Sequence, residues 1–168
     1  MITNQEAKQL AEIELNKTSI SSDDSLIILD VHTIEKEYAW IFFYQSKKYE
    51  ETKDIRFLVG GNGLLFISKT NGQVASFRTG LSIDEMIDQY EEENNCWHLA
   101  LNQKMLLNVN QFIAIRQLLH WSIAQLSDFK KSTNNVIEIG SKRRLLAIQE
   151  QCALENIKTD IQLILNKD

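Results

Sequence analysis

Leu64-Leu65-Phe66-Ile67-Ser68 and Gln73-Val74-Ala75-Ser76-Phe77 are two apolar-rich runs separated by Lys69-Thr70-Asn71-Gly72. Asn-Gly between two such runs is the strongest short-range hairpin signal, because both residues tolerate the positive φ that a tight reversal needs. A four-residue link cannot make a parallel crossover, so the pairing must be antiparallel. That decides the class of the first half of the chain.

Upstream, Tyr38 to Gln45 is aromatic and β-branched, with Ala39, Ile41 and Phe43 on one face and Trp40, Phe42 and Tyr44 on the other. A sheet apolar on both faces has to be covered on both. Leu26 to Val31 is a nearly continuous apolar run that reads as a buried strand. Arg56 to Val59 reads as a short strand, broken by Gly60-Gly61-Asn62-Gly63. Thr18 to Asp24 and Ser46 to Asp54 read as polar loops. Two helices flank these strands. Thr3 and Glu6 form a capping box ahead of Ala7, Leu10 and Ala11, and Ser82 with Glu85 forms another, with a Leu81–Met86 staple. Ile83, Met86, Ile87 and Tyr90 make the inward stripe of the second helix, which leaves Asp84, Glu85, Asp88, Glu91 and Glu92 outside.

Glu91 to Asn95 is an unbroken polar stretch and marks a boundary, after which the pattern restarts. Trp97 to Leu101 reads as a strand. Asn108, Ser122 and Ser141 each cap a helix, the last with Leu145, Ile148 and Cys152 inward. Asn135 to Ile139 and Thr159 to Leu165 read as strands. The expected fold is α+β: an antiparallel sheet with flanking helices over residues 1–93, then a small β-α-α-β-α-β unit over residues 96–168.

With 43% hydrophobic and 24% charged residues among 168, the chain has enough apolar mass for a core, and disorder is excluded as its main state. No apolar run approaches the ~18 residues of a membrane span, so no membrane partner is expected. Met1 to Lys8 is polar and shows no secretory h-region. Cys96 and Cys152 make no CxxC, so reduced thiols and a cytoplasmic location are expected. The net charge of −5 is unevenly placed. Residues 1–93 hold 9 Lys and Arg against 17 Asp and Glu, whereas residues 94–168 hold 9 against 6. The acidic half would repel phosphates, so no nucleic acid is expected there, and a basic protein partner suits it.

Catalytic motifs are wanting. His32, His98 and His120 have no metal spacing among themselves or with a cysteine. Gly60 to Gly63 is neither GxGxxG nor a P-loop, and a strand follows it rather than a helix. Asp84 and Asp88 lie on an outer helix face, where solvation favours ordinary carboxylates over an acid/base pair. Lys142-Arg143-Arg144 is too short for a nucleic-acid site and lies early in a helix, where cations are slightly unfavourable. The expectation is a protein that is not an enzyme, with no catalytic residue, metal or cofactor.

Over residues 1–93 the chain resembles the immunity protein 35 family, the YrhB-like proteins. The resemblance is carried by Ala39-Trp40-Ile41-Phe42-Phe43-Tyr44-Gln45-Ser46-Lys47-Lys48-Tyr49, Gly61-Asn62-Gly63, Thr70-Asn71-Gly72-Gln73-Val74, Thr79-Gly80 and the acidic helix to Tyr90. The family usually has Gly-Trp where this chain has Ala39-Trp40. The resemblance implies a non-enzymatic antidote that binds and blocks a cognate bacterial toxin, with a small chaperone-like holder of unfolded clients as the alternative. From Trp97 on, the chain resembles the C-terminal domain of the bacterial ribosomal stalk protein. Ile115-Arg116, Ser122 to Phe129, Gly140 and the Leu145 to Asn156 helix carry this likeness, with Ser127 where that family has Lys. It implies a docking module of shared small fold. On the immunity reading, the partner-binding candidates are Asp84, Glu85, Asp88, Glu91 and Glu92, joined by Glu50, Glu51 and Asp54 of the polar loop, with Tyr49 as an aromatic anchor. Metal analysis of untagged protein is expected to return no stoichiometric zinc; zinc held through His or Cys would overturn this reading.

Overall fold

A computed structural model describes residues 1–17, 23–60, 63–77 and 80–164. Part of the first polar loop (Thr18 to Ser22), Gly61-Asn62, Thr79 and the expected strand end at Leu165 lie outside the described residues. The chain forms two compact units, Met1–Met86 and Ile87–Ile164. The architecture is α+β, and all strand pairing is antiparallel.

In the first unit, strand β3 (Ala39–Ser46) is central. Along one edge it pairs with β1 (Leu26–Ile28) and β2 (Ile34–Glu35), and along the other with β4 (Leu64–Ser68), which in turn pairs with β5 (Val74–Ser76). Register sets Trp40 against Ile67 and Phe42 against Leu65. Helix α1 (Asn4–Asn16) begins at the expected capping box, where Thr3 N donates to Glu6 Oε2 at 2.8 Å and Glu6 N to Thr3 Oγ1 at 3.3 Å. Ala7, Ala11 and Leu15 pack in one cluster with Phe42, Leu65 and Ile67. The other sheet face buries Ala39, Ile41, Leu64 and Phe66 completely or nearly so. The Trp40 indole adds a tie to the N-terminus, donating to the Ile2 carbonyl at 3.2 Å.

The β4–β5 hairpin turns where expected. Gly72 has φ +73°, and Gln73 N donates to Asn71 Oδ1 at 3.0 Å, an Asx turn that fixes the reversal. The polar and mixed stretches differ from expectation. Ser46 to Asp54 is not a loop: Lys47–Thr52 is a helix, α2, whose N-cap Ser46 accepts from Tyr49 N at 3.0 Å. Ser46 is fully buried, and its hydroxyl donates to Asp24 Oδ2 at 2.7 Å. That tertiary hydrogen bond had no local signature. Arg56 to Val59 is not a strand: Ile55–Phe57 is a 3-10 turn capped by Asp54, which accepts from Arg56 N at 3.0 Å. The run Leu26 to Val31 is a strand only to Ile28, because the chain tightens into a 3-10 turn at Asp30–His32.

The second unit begins inside helix α3 (Ile83–Glu93), ahead of the polar stretch that marked the boundary in the sequence. Its sheet has the order β7 (Val136–Gly140), β6 (Trp97–Leu101), β8 (Thr159–Leu163). Helices α4 (Val109–Leu118), α5 (Ile123–Lys131) and α6 (Lys142–Leu154) complete the β-α-α-β-α-β order. The core gathers Leu99, Leu101, Phe112, Ile115, Phe129, Ile137, Leu145, Cys152 and Ile157. The capping boxes at Asn108/Gln111 and Ser122/Gln125 are both formed.

Phe66 is fully buried, whereas Ile55 is 76% exposed. Phe66→Ala should therefore lower unfolding stability by about 3–5 kcal/mol in urea titrations. Ile55→Ala should change it by no more than about 0.5 kcal/mol.

Candidate functional site

Helix α3 carries the densest acids, and its N-terminus shows why it forms there. Ser82 N and Oγ donate to Glu85 Oε2 at 2.8 and 2.7 Å, and Glu85 N returns a bond to Ser82 Oγ at 3.3 Å. Asp84 and Glu85 are exposed in this first turn, where the helix dipole favours negative charge. Asp88 is half-buried, and its Oδ1 is enclosed without a hydrogen-bond partner among the described residues.

The last two candidates on this helix do something else. Glu91 was expected on the outside but is only 6% exposed, and its Oε2 accepts from Lys142 N at 2.8 Å. Glu92 Oε2 accepts from Ser141 N at 2.8 Å and from Arg144 Nε at 3.0 Å. Together with the Ser141 hydroxyl, which accepts from Arg144 N at 3.3 Å, these carboxylates satisfy the N-terminal N–H groups of α6. They also explain how α6 tolerates Lys142, Arg143 and Arg144 in its first turn, where its own dipole disfavours cations. Arg144 is shared further with Glu138, at 3.3 Å. A Cβ at Gly140 would collide with both Arg144 Nη2 and Glu92 Oε2, so only glycine lets this pair lie against the backbone. Desolvation by itself would raise the Glu92 carboxyl, but the hydrogen bonds from Arg144 and Ser141 outweigh it and hold the group below its usual value.

The candidates in and beside α2 make no acidic surface. Glu50 pairs with Lys53, Glu51 with Lys47 at 3.9 Å, and Asp54 with Arg56, whose Nε lies 2.9 Å from Asp54 Oδ2. The Arg56 contacts pull the Asp54 carboxyl below its ordinary value. Lys47 to Arg56 holds four cations against three acids, which cancels the negative field that an acidic binding surface needs. Tyr49 is half-buried, with the Lys53 ammonium 5.4 Å from its ring centroid.

Elsewhere, two of the histidines have side-chain partners. His98 Nε2 meets Gln162 Oε1 at 3.3 Å, and the His32 ring lies edge-on to Phe43. Burial, with the charge of Glu91 adding to it, pushes the Cys96 thiol up to about 12, and burial pushes Cys152 up to about 11. Such thiols are poor nucleophiles at neutral pH. Among the described residues, no group of three His, Cys, Asp or Glu is placed to hold a metal ion. Lys104 carries no sequence signal, yet it is 5% exposed. Its ammonium donates to the carbonyls of Phe129, Ser132 and Asn134, the last two at 2.8 Å, and lies 3.9 Å from the Phe129 ring centroid. It closes the C-terminus of α5, and burial lowers its pKa.

Comparison of the chain with family models, curated proteins and solved structures gave no match. No helix among the described residues is long and apolar enough to cross a membrane.

Because the folded Glu92 carboxyl lies below its unfolded value, its stabilising contribution is present above the unfolded pKa of about 4.3. It is lost as pH falls through the folded value. Glu92→Gln should therefore give a flatter decline of stability below about pH 4.3 than the wild type, read from urea midpoints across pH.

Proposed function

We propose that the chain is a non-enzymatic immunity-type protein, cytoplasmic and cofactor-free, that binds and blocks a cognate bacterial toxin. The observation that carries this reading is the arrangement of the segments that resemble the immunity family. The aromatic strand β3 and the Asn71-Gly72 hairpin belong to one antiparallel sheet, and the acidic helix α3 follows them in the chain. The acids left at the start of α3 are Asp84 and the capping Glu85, both exposed, with the half-buried Asp88 beside them, since Glu91 and Glu92 are held by α6. A toxin acting on nucleic acid has a basic cleft, and an acidic helix would speed encounter with it and compete for it.

The test is co-purification with the product of the adjacent gene, followed by inhibition at one-to-one stoichiometry. Asp84→Lys combined with the isosteric Asp88→Asn should weaken binding by about tenfold and flatten its salt dependence. Undiminished affinity would move the interface off α3. Binding of unfolded clients as tightly as of the toxin would replace the immunity reading with the chaperone one.

A further inference from the structure

The sheet of the second unit has two edges, and they are finished differently. Along β7, side chains take up main-chain groups. Val136 N donates to Asn134 Oδ1 at 2.9 Å, Ile139 N donates to Glu138 Oε1 at 3.1 Å, and the Ile139 carbonyl accepts from Arg144. An edge closed in this way offers little to another strand.

Strand β8 is the other edge. Its bonds to β6 fall at even-numbered positions: at its two ends Asn102 N donates to the Lys158 carbonyl at 3.1 Å and Ile164 N to the Cys96 carbonyl at 2.8 Å. The N–H and C=O groups of Thr159, Ile161 and Leu163 are therefore directed away from β6. The Thr159 carbonyl accepts from Gln149 Nε2 at 2.8 Å. The outward groups of Ile161 and Leu163 have no hydrogen-bond partner among the described residues.

We propose that β8 pairs antiparallel with β8 of a second copy, about a two-fold axis at Ile161, so that the two sheets join into one. The side chains of the edge select this occupant. In that register Ile161 lies opposite its own copy, and the two exchange their outward N–H and C=O groups. Asp160 then lies opposite Gln162 of the second copy, and Gln162 opposite its Asp160. These are non-hydrogen-bonded pairs, in which facing side chains come closest. Both residues are exposed. A carboxylate thus meets an amide donor at two places, and no like charges face each other. Gln162 is already turned for this contact. Its Oε1 lies 3.3 Å from Nε2 of His98, its neighbour on β6, which leaves the amide NH2 to donate. Centring the pair on Asp160 instead would set two carboxylates face to face, so charge fixes the register as well as the partner.

Sedimentation of the full chain from low to high micromolar concentration should show a reversible monomer–dimer equilibrium. Gln162→Asp sets carboxylate against carboxylate at both pairs and should weaken it about 100-fold. Gln162→Lys should tighten it about tenfold, with circular dichroism unchanged in both variants. Cysteines read the register directly. Asp160→Cys protein mixed with Gln162→Cys protein should give a disulfide-linked heterodimer with oxidised glutathione, and neither variant should cross-link alone. The native Cys96 and Cys152 are buried and do not compete. A chain that is monomeric at every concentration, leaving the edge to a strand of another protein, would overturn the proposal. So would a dimer indifferent to Gln162→Asp, or cysteine variants that cross-link no better mixed than alone. None of these readouts depends on whether a toxin is bound.

Discussion

Strand β3 hydrogen-bonds along both edges and carries large apolar side chains on both faces, and most of the first unit follows from covering it. One face requires a helix with small residues, because Phe42 and Trp40 already fill the space above the sheet; α1 meets this with Ala7 and Ala11, both fully buried. The other face requires the long apolar residues Ile41, Leu64 and Phe66, with Phe77 edge-on to Phe66 at 5.1 Å. The β4–β5 hairpin sets the register that aligns these faces. A one-residue slip would turn each buried set toward the opposite side.

Several charged side chains in this chain close helix ends rather than decorating a surface. Glu91 and Glu92 satisfy the start of α6, Lys104 the end of α5, and Asp24 with Ser46 the start of α2. Each joins segments far apart in sequence and leaves a local polar group satisfied in a buried or half-buried place, where leaving it unpaired would cost about 1–3 kcal/mol. The acidic surface is accordingly smaller than composition suggests. On α3 Glu91 is withdrawn from it and Glu92 is paired with Arg144, and around α2 cations neutralise it.

The two units therefore offer different outer chemistry. The first presents acids at the start of α3, which suit a basic partner. The second presents the outer side of α4, where Val109 and Ile113 are exposed.

Local pattern was enough for the α+β class, the hairpin at Asn71-Gly72, the capping boxes at Thr3, Ser82, Asn108 and Ser122, and the inward stripe of α6. These depend on periodicity and on hydrogen bonds spanning three residues, and both are written in consecutive sequence. The acids of α3 were also visible as acids. Only tertiary structure decided their work: Glu91 and Glu92 read as solvent-facing because a helix pattern says which side is apolar, not which polar side chain meets a neighbouring helix end. Helix α2 was illegible for the same reason. It has no apolar period of its own, and it forms where Asp24, 22 residues upstream, accepts a hydrogen bond from its capping Ser46. Lys104 shows the limit most plainly, since a lysine is buried only where several carbonyls converge, and their convergence is a property of the folded chain alone.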